Sequence, residues 1–276
     1  VLSVGVLFAL GNSCSLKKAT LQQVNEWFIV LDYTPSEQQL DMLHYDMGIF
    51  DPDSHPSFEK IKKELILIGY VSIGEAEEYR AYWNDIKDET WVLEENPNWP
   101  ENYSVDVRDN AWHRIIIDEV IPSVIKQGFA GIMMDTLDTA HFLESSDPEK
   151  YQGARDAMIQ LVKEIHETYP DLYLISNNGF AILEDIAPYL SGILVEDIYM
   201  MVDFENNTYI PVPNEDREYK VGILEKIMRD YNLPVFAVDY VSQKDSERIK
   251  ETAINLRELG FKPYIAEKKL TTIYPN

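Results

Sequence analysis

Past Asn25 the chain alternates between two kinds of apolar patterning. Short, nearly continuous apolar runs end abruptly in polar residues: Trp27–Tyr33, Met47–Asp51, Leu65–Ser72, Gly131–Asp135, Leu172–Asn177, Gly192–Glu196, Val235–Tyr240 and Lys262–Glu267. Each has strand length and lacks the polar alternation of a half-exposed strand, as expected of parallel strands covered on both faces. Between the runs, apolar residues recur at helical spacing. Pro148–Thr168 sets Ala154, Met158, Leu161, Val162 and Ile165 on one stripe. Ser246–Leu259 does the same with Ile249, Ala253, Ile254, Leu256 and Leu259, and Gly260 supplies a stop. Ala111–Lys126 is a third such segment, with a kink expected at Pro122. Pro35–Tyr45, Pro56–Glu64 and Asp216–Tyr231 complete the alternation.

Eight strand–helix units with no tail left over predict an α/β fold, a single (β/α)8 TIM barrel over residues 25–276. A doubly wound open sheet is the alternative. Two connections are long, Gly74–Asn110 after the third strand and Tyr199–Glu215 after the sixth. Both follow a strand and so reach the face where barrel enzymes bind substrate. The first carries Tyr79, Tyr82, Trp83, Trp91, Trp99 and Tyr103, rings that suit stacking on sugars or packing of the loop itself.

Residues 1–24 read differently. Val1–Leu10 is an uncharged apolar run, followed by Gly11, Asn12, Ser13 and Cys14. It is too short to span a bilayer but suits the apolar stretch of a signal peptide, and Cys14 just after it fits a lipoprotein anchor. The expectation is a leader and an extracellular or cell-envelope location, with an ordinary buried strand or helix as the alternative. No transmembrane span is expected.

Composition narrows the chemistry. With 45% hydrophobic and 12% aromatic residues the chain can bury a large core. Its 24 Lys and Arg against 48 Asp and Glu give a net charge of −24, which argues against nucleic acid and anionic membranes as partners. Neutral or cationic ligands are favoured. One cysteine excludes a disulfide framework and a thiolate zinc site. The histidines (His44, His55, His113, His141 and His166) form no His-x-His pair, and no Gly-x-Ser-x-Gly elbow is present. Acids alone could hold Mg²⁺ or Ca²⁺, but no metal or cofactor is called for, and a monomer is expected.

The acids remain, and they gather at the strand ends. In order these give Asp32, Asp51, Asp135, Asn177 with Asn178, Glu196 with Asp197, Asp239 and Glu267, while the third strand gives Ser72 with Glu75 beyond it. Like charges on one rim repel, and the crowding spreads their pKa values apart. Two carboxylates with separated pKa values are the apparatus of glycoside hydrolysis, one protonating the leaving oxygen while the other attacks or activates water. The expected substrate-binding residues are Asp32, Tyr33, Asp51, Tyr70, Ser72, Glu75, Asp138, Asn177, Asp197, Asp239 and Tyr240. Acids would grip amino and hydroxyl groups and tyrosines would stack. Asp197 is the weakest of these, because successive strand residues alternate faces. The rival class is a carbohydrate-binding barrel without catalysis.

Four blocks in order, Gly69–Glu75 (GYVSIGE), Val105–Trp112 (VDVRDNAW), Gly128–Asp138 (GFAGIMMDTLD) and Val195–Asp197 (VED), resemble the endo-α-1,4-polygalactosaminidase-like family, glycoside hydrolase family 114. The resemblance runs from about Trp27 to the end of the chain. It implies a (β/α)8 barrel acting on α-1,4-linked galactosamine polymers, a polysaccharide or amino-sugar oligomer as partner, and catalytic acids at the ends of the fourth and sixth strands. That places them on Asp135 and Glu196. Their positions at strand tips two apart, with the longer side chain of Glu196 better suited to reach the leaving oxygen, make Asp135 the expected nucleophile and Glu196 the expected general acid/base of a retaining enzyme, with inversion the alternative if the carboxyl groups stand about 6.5–9.5 Å apart. Some relatives have carried a cysteinyl-tRNA-synthetase-like label, but this chain has neither a His-x-Gly-His stretch nor a Lys-Met-Ser-Lys-Ser loop. Deacetylated galactosamine carries an ammonium group, which suits an acid-lined cleft.

Overall fold

The computed structural model describes residues 20–33, 44–61 and 64–274. Val1–Leu10, Cys14 and most of Pro35–Tyr45 lie outside the described residues. All eight apolar runs form strands: β1 (Trp27–Val30), β2 (Met47–Phe50), β3 (Ile66–Ser72), β4 (Gly131–Asp135), β5 (Tyr173–Asn177), β6 (Gly192–Glu196), β7 (Val235–Tyr240) and β8 (Lys262–Ala266). They pair in parallel and in sequence order, forming one sheet nearly closed into a barrel. At the seam the Trp27 indole N–H donates to the Lys262 carbonyl at 3.0 Å, and its ring packs on Phe236 and Tyr264. Every residue of β1, β2, β5 and β7 is buried, which is why their sequences show no alternation.

The helices refine the expectation. Ala154–Thr168 buries Ala154, Met158, Leu161, Val162 and Ile165, the expected stripe. Residues 148–153 are not part of that helix. Gly153 turns the chain at φ 84°, and Glu144, from the helix Asp138–Ser146, accepts the N–H groups of Gly153 and Arg155. In Ser246–Glu258 the inner face is Thr252 and Leu256, whereas Ile254 is 54% exposed. Two residues from Thr252 is about 200° around a helix, so Ile254 points outward. Before Pro122 the helix widens: Asn110–Arg114 runs into a π-helical stretch, Ile115–Val120, before Ile121–Lys126. The missing Pro122 N–H leaves a gap in the hydrogen-bond ladder that a π-turn accommodates.

The two long connections carry strands of their own. Glu75–Glu77, Val92–Glu95 and Asn102–Val105 form a three-stranded antiparallel sheet after β3. Met200–Asp203 and Thr208–Pro211 form a hairpin after β6, leading into the helix Asn214–Tyr231. These strands are only three or four residues long, too short for an apolar run to stand out, so they read as loops. Leu21 and Val24, on the leader side of the expected boundary, are buried in the core. Among the described residues, no helix is long and apolar enough to cross a membrane.

Candidate active site

The carboxyl ends of the strands open on a cleft of about 660 Å³. Parallel pairing sets the tips level, with Ser72 beside Asp135 across β3 and β4, and Glu196 beside Val238 across β6 and β7. The residue after each of β4, β5 and β6 is left-handed: Thr136 at φ 63°, Asn178 at φ 50° and Asp197 at φ 60°. None is glycine, and such backbone costs about 1–3 kcal/mol per residue. The turn breaks the strand's alternation, so the last strand residue and its successor both reach the cleft. This is why Asp197 lines the cleft beside Glu196. Thr136 is held by Gly74, whose N–H donates to Thr136 Oγ1 at 2.8 Å. A Cβ on Gly74 would stand 2.1 Å from the Thr136 carbonyl oxygen, so only glycine fits there.

Asp135 and Glu196 share a donor. Asn177 Nδ2 donates to Asp135 Oδ1 at 2.9 Å and to Glu196 Oε1 at 2.7 Å. The other Glu196 oxygen accepts the Tyr240 hydroxyl, and Asn178 Oδ1 accepts the Glu196 N–H. Burial first, and then the Glu196 charge, push the Asp135 carboxyl above its ordinary range. Hydrogen bonds from Asn177, the Thr136 backbone and Tyr70 oppose that push. Burial and the Glu196 charge likewise raise Asp197 to about 7, against the pull of Lys220. Glu75 is raised mainly by burial, with Asn96 donating to its Oε1 at 3.0 Å.

Two cations anchor this acid rim. The Arg80 guanidinium bonds Asp51, Asp53 and Glu77 at 2.7–2.8 Å, with the Tyr79 ring 4.8 Å away. Lys220 Nζ donates to the Glu196 and Asp197 carbonyls, each at 3.0 Å, beneath the other side of the mouth. Neither cation stands out in the sequence, since each lies in a polar stretch and meets partners from other elements.

Of the expected site residues, Asp32, Asp51, Tyr70, Glu75, Asp135, Asn177, Glu196, Asp197 and Tyr240 line the cleft. Four stand elsewhere. Tyr33 is buried against Phe50. Ser72 is buried, its hydroxyl donating to the Glu75 carbonyl. Asp138 accepts the Gly179 N–H and faces a neighbouring cleft that Glu75 and Asn96 also line. Asp239 is fully buried and accepts the N–H groups of Ile198, Tyr199 and Met200 at 2.7–2.9 Å, so it holds the turn after Glu196. Of the aromatic residues in the first long connection, Tyr79 and Trp99 line the cleft, Tyr82 and Trp91 are buried, and Trp83 packs on Tyr103 outside it. Beyond the expected residues, the wall includes Asp53, Glu77, Asn178, Phe204 and Lys268.

Comparison with known proteins bears on this mouth. The model of glycoside-hydrolase family GH114 matches residues 12–275. The chain is 27% identical to a Thermotoga maritima protein over 94% of this chain and 86% of the relative. It is 31% identical to the Methanocaldococcus jannaschii protein MJ1477, over 78% of this chain and 65% of the relative. In structure it is similar to the glycoside hydrolase domain of PelA from Pseudomonas aeruginosa, with a TM-score of 0.74, 21% identity, and coverage of 90% of this chain and 99% of that one. Ega3 from Aspergillus fumigatus, solved in complex with galactosamine, gives a TM-score of 0.65 at 14% identity, covering 90% of this chain and 93% of that one. At these identities the structural likenesses show the barrel fold.

Proposed function

The chain belongs to glycoside hydrolase family GH114, and from that premise we propose that it cleaves α-1,4-linked galactosamine-type polysaccharide through Asp135 and Glu196, with retention at the anomeric carbon. One observation carries the reading: a single nitrogen, Asn177 Nδ2, donates to both carboxylates. Their accepting oxygens are therefore no further apart than the sum of those two bonds. That falls short of the roughly 6.5–9.5 Å that inverting enzymes need for a water, and suits the roughly 5–5.5 Å of retaining ones.

Roles follow from surroundings and reach. Asp135 accepts hydrogen bonds from Asn177, the Thr136 backbone and Tyr70, which offset part of the rise that burial and the Glu196 charge impose and so keep its anion within reach. That suits a nucleophile attacking the anomeric carbon and displacing the glycosidic oxygen. Glu196, on the longer side chain and hydrogen-bonded by Tyr240, protonates that oxygen and then takes a proton from the incoming water. The surrounding Asp32, Asp51, Glu75 and Asp197 offer negative charge to the ammonium groups of a deacetylated polymer.

The test is incubation with partly deacetylated α-1,4-linked galactosamine polymer, counting new reducing ends and reading the anomer first released. The α anomer is expected. Asp135→Asn and Glu196→Gln should each lower turnover by about a thousandfold or more with the fold intact. Wild-type turnover in either variant, or a first product of β configuration, overturns the reading.

A further inference from the structure

Two hairpins reach over the mouth and touch. The turn joining Val92–Glu95 to Asn102–Val105 carries Trp99, and the turn joining Met200–Asp203 to Thr208–Pro211 carries Phe204. Both rings line the active-site cleft, both are 50% exposed, and they meet edge to face with centroids 5.8 Å apart. Each tip is tied by its own side chains. Asn96 accepts the Asn98 N–H, Asn102 donates to the Trp99 carbonyl, and Asp203 accepts the N–H groups of Glu205 and Asn206. The hairpins are thus held in shape, and the Trp99 and Phe204 rings meet between them edge to face. On the other side Lys268 Nζ lies 4.4 Å from the Phe204 centroid, and Tyr209 accepts the Lys268 N–H at 3.3 Å. The loops after β3, β6 and β8 are therefore linked in series across the cleft.

We propose that Trp99 and Phe204 form a clasp that opens to admit a sugar chain, closes over it, and gives this site its preference for polymer over short oligosaccharide. The proposal rests on the hydrolase reading and deepens it. Large half-exposed rings at a cleft wall offer flat apolar faces to pyranose rings. The Lys268 ammonium lies over the Phe204 ring, which shows that the face suits a cation, and an amino-sugar ammonium would take that place by displacing Lys268. Among the described residues no hydrogen bond joins the two tips, so parting the rings leaves the bonds within each hairpin, and those to the two carboxylates, in place.

Trp99→Ala, Phe204→Ala, the double variant and Trp99→Phe test this on two probes: long, partly deacetylated α-1,4-linked galactosamine polymer, and the shortest oligosaccharide of that polymer that wild type cleaves. Each alanine variant should lower the ratio of kcat/KM on polymer to that on oligosaccharide by roughly threefold to tenfold, through KM on polymer. The double variant should lose little more than either single one, because both act through one contact, and Trp99→Phe should recover most of the preference. An unchanged ratio in both single variants, or losses that multiply, overturns the clasp. Retention on immobilised polymer gives a reading without hydrolysis. A wild-type chain that is retained but releases no reducing ends sinks the hydrolase reading alone, and the clasp then stands if both alanine variants elute earlier and falls if they do not. A wild-type chain neither retained nor active sinks both.

Discussion

Arg80 forms a two-pronged ion pair with Asp51, Nη1 to Oδ1 at 2.8 Å and Nη2 to Oδ2 at 2.7 Å. The remaining donors reach Asp53 and Glu77, so one cation serves three carboxylates, two from the turn after β2 and one from the sheet after β3. Removing it would leave Asp51 and Glu77 buried and facing each other unpaired. Arg80→Ala should destabilise the fold by about 3–5 kcal/mol. Burial already raises Glu77 against the Arg80 charge that lowers it. Without Arg80 only the Tyr79 hydrogen bond still opposes that push, so the variant's deficit should shrink as pH falls and the carboxylates take up protons. Urea midpoints at pH 5 and 8 check this, and a deficit equal at both counts against it.

Asn177 lowers the pKa of Asp135 through the hydrogen bond they share. Asn177→Ala removes that term, leaving burial and the Glu196 charge, and Asp135 then rises further. If Asp135 works as an anion, the acid limb of kcat/KM should move to higher pH. A hydrogen bond to a charged group is worth about 1.5–3 kcal/mol, so turnover at neutral pH should fall roughly tenfold to hundredfold. An acid limb that stays in place would separate Asn177 from the ionisation of the pair.

The barrel was legible because strands buried on both faces leave continuous apolar runs, and all eight appear where those runs stand. The acid rim was legible for a related reason, since β4 and β6 close on Asp135 and Glu196 and β5 on Asn177. Asp197 shows where strand logic stops. Alternation turns it away from the cleft, and one left-handed residue turns it back. Asp239 errs the other way: at the end of β7 it looks like a ligand-binding acid, yet three backbone N–H groups occupy it. Arg80 and Lys220 were invisible because Asp51 and Asp53 for the one, and the Glu196 and Asp197 carbonyls for the other, come from segments more than twenty residues away. The Trp99–Phe204 contact needs two hairpins that read as loops.

Asp197 is a cost to stability at neutral pH. Its folded pKa of about 7 lies above the ordinary 3.8, so the folded state binds its proton more tightly than the unfolded one. The stability associated with that proton is complete below the unfolded value and is lost as pH rises through about 7. Asp197→Asn carries no charge to bury. The variant should match wild type near pH 4 and exceed it at pH 8, by on the order of 1–3 kcal/mol. Melting temperatures across that range decide the matter, and a constant offset would mean that the effect is not ionisation.

Asp239 holds the backbone that follows Glu196. Its Oδ1 accepts from Ile198 at 2.8 Å, and its Oδ2 from Tyr199 at 2.7 Å and Met200 at 2.9 Å. Asp239→Ala leaves three N–H groups without their acceptor, and each buried orphan costs about 1–3 kcal/mol, so a loss of at least about 3 kcal/mol is expected. Asp239→Asn keeps one accepting oxygen and should fall between the two. Burial raises Asp239 to about 6 in the wild-type chain, which alone carries this charge, so wild-type stability from this group fades as pH rises through that value. The deficit of Asp239→Ala should therefore be smaller at pH 8 than at pH 5. Because the same turn carries Glu196 into its hydrogen bond with Tyr240, kcat should fall in both variants under conditions where circular dichroism shows them folded. A folded Asp239→Ala with wild-type kcat would show that the turn holds Glu196 without this carboxylate.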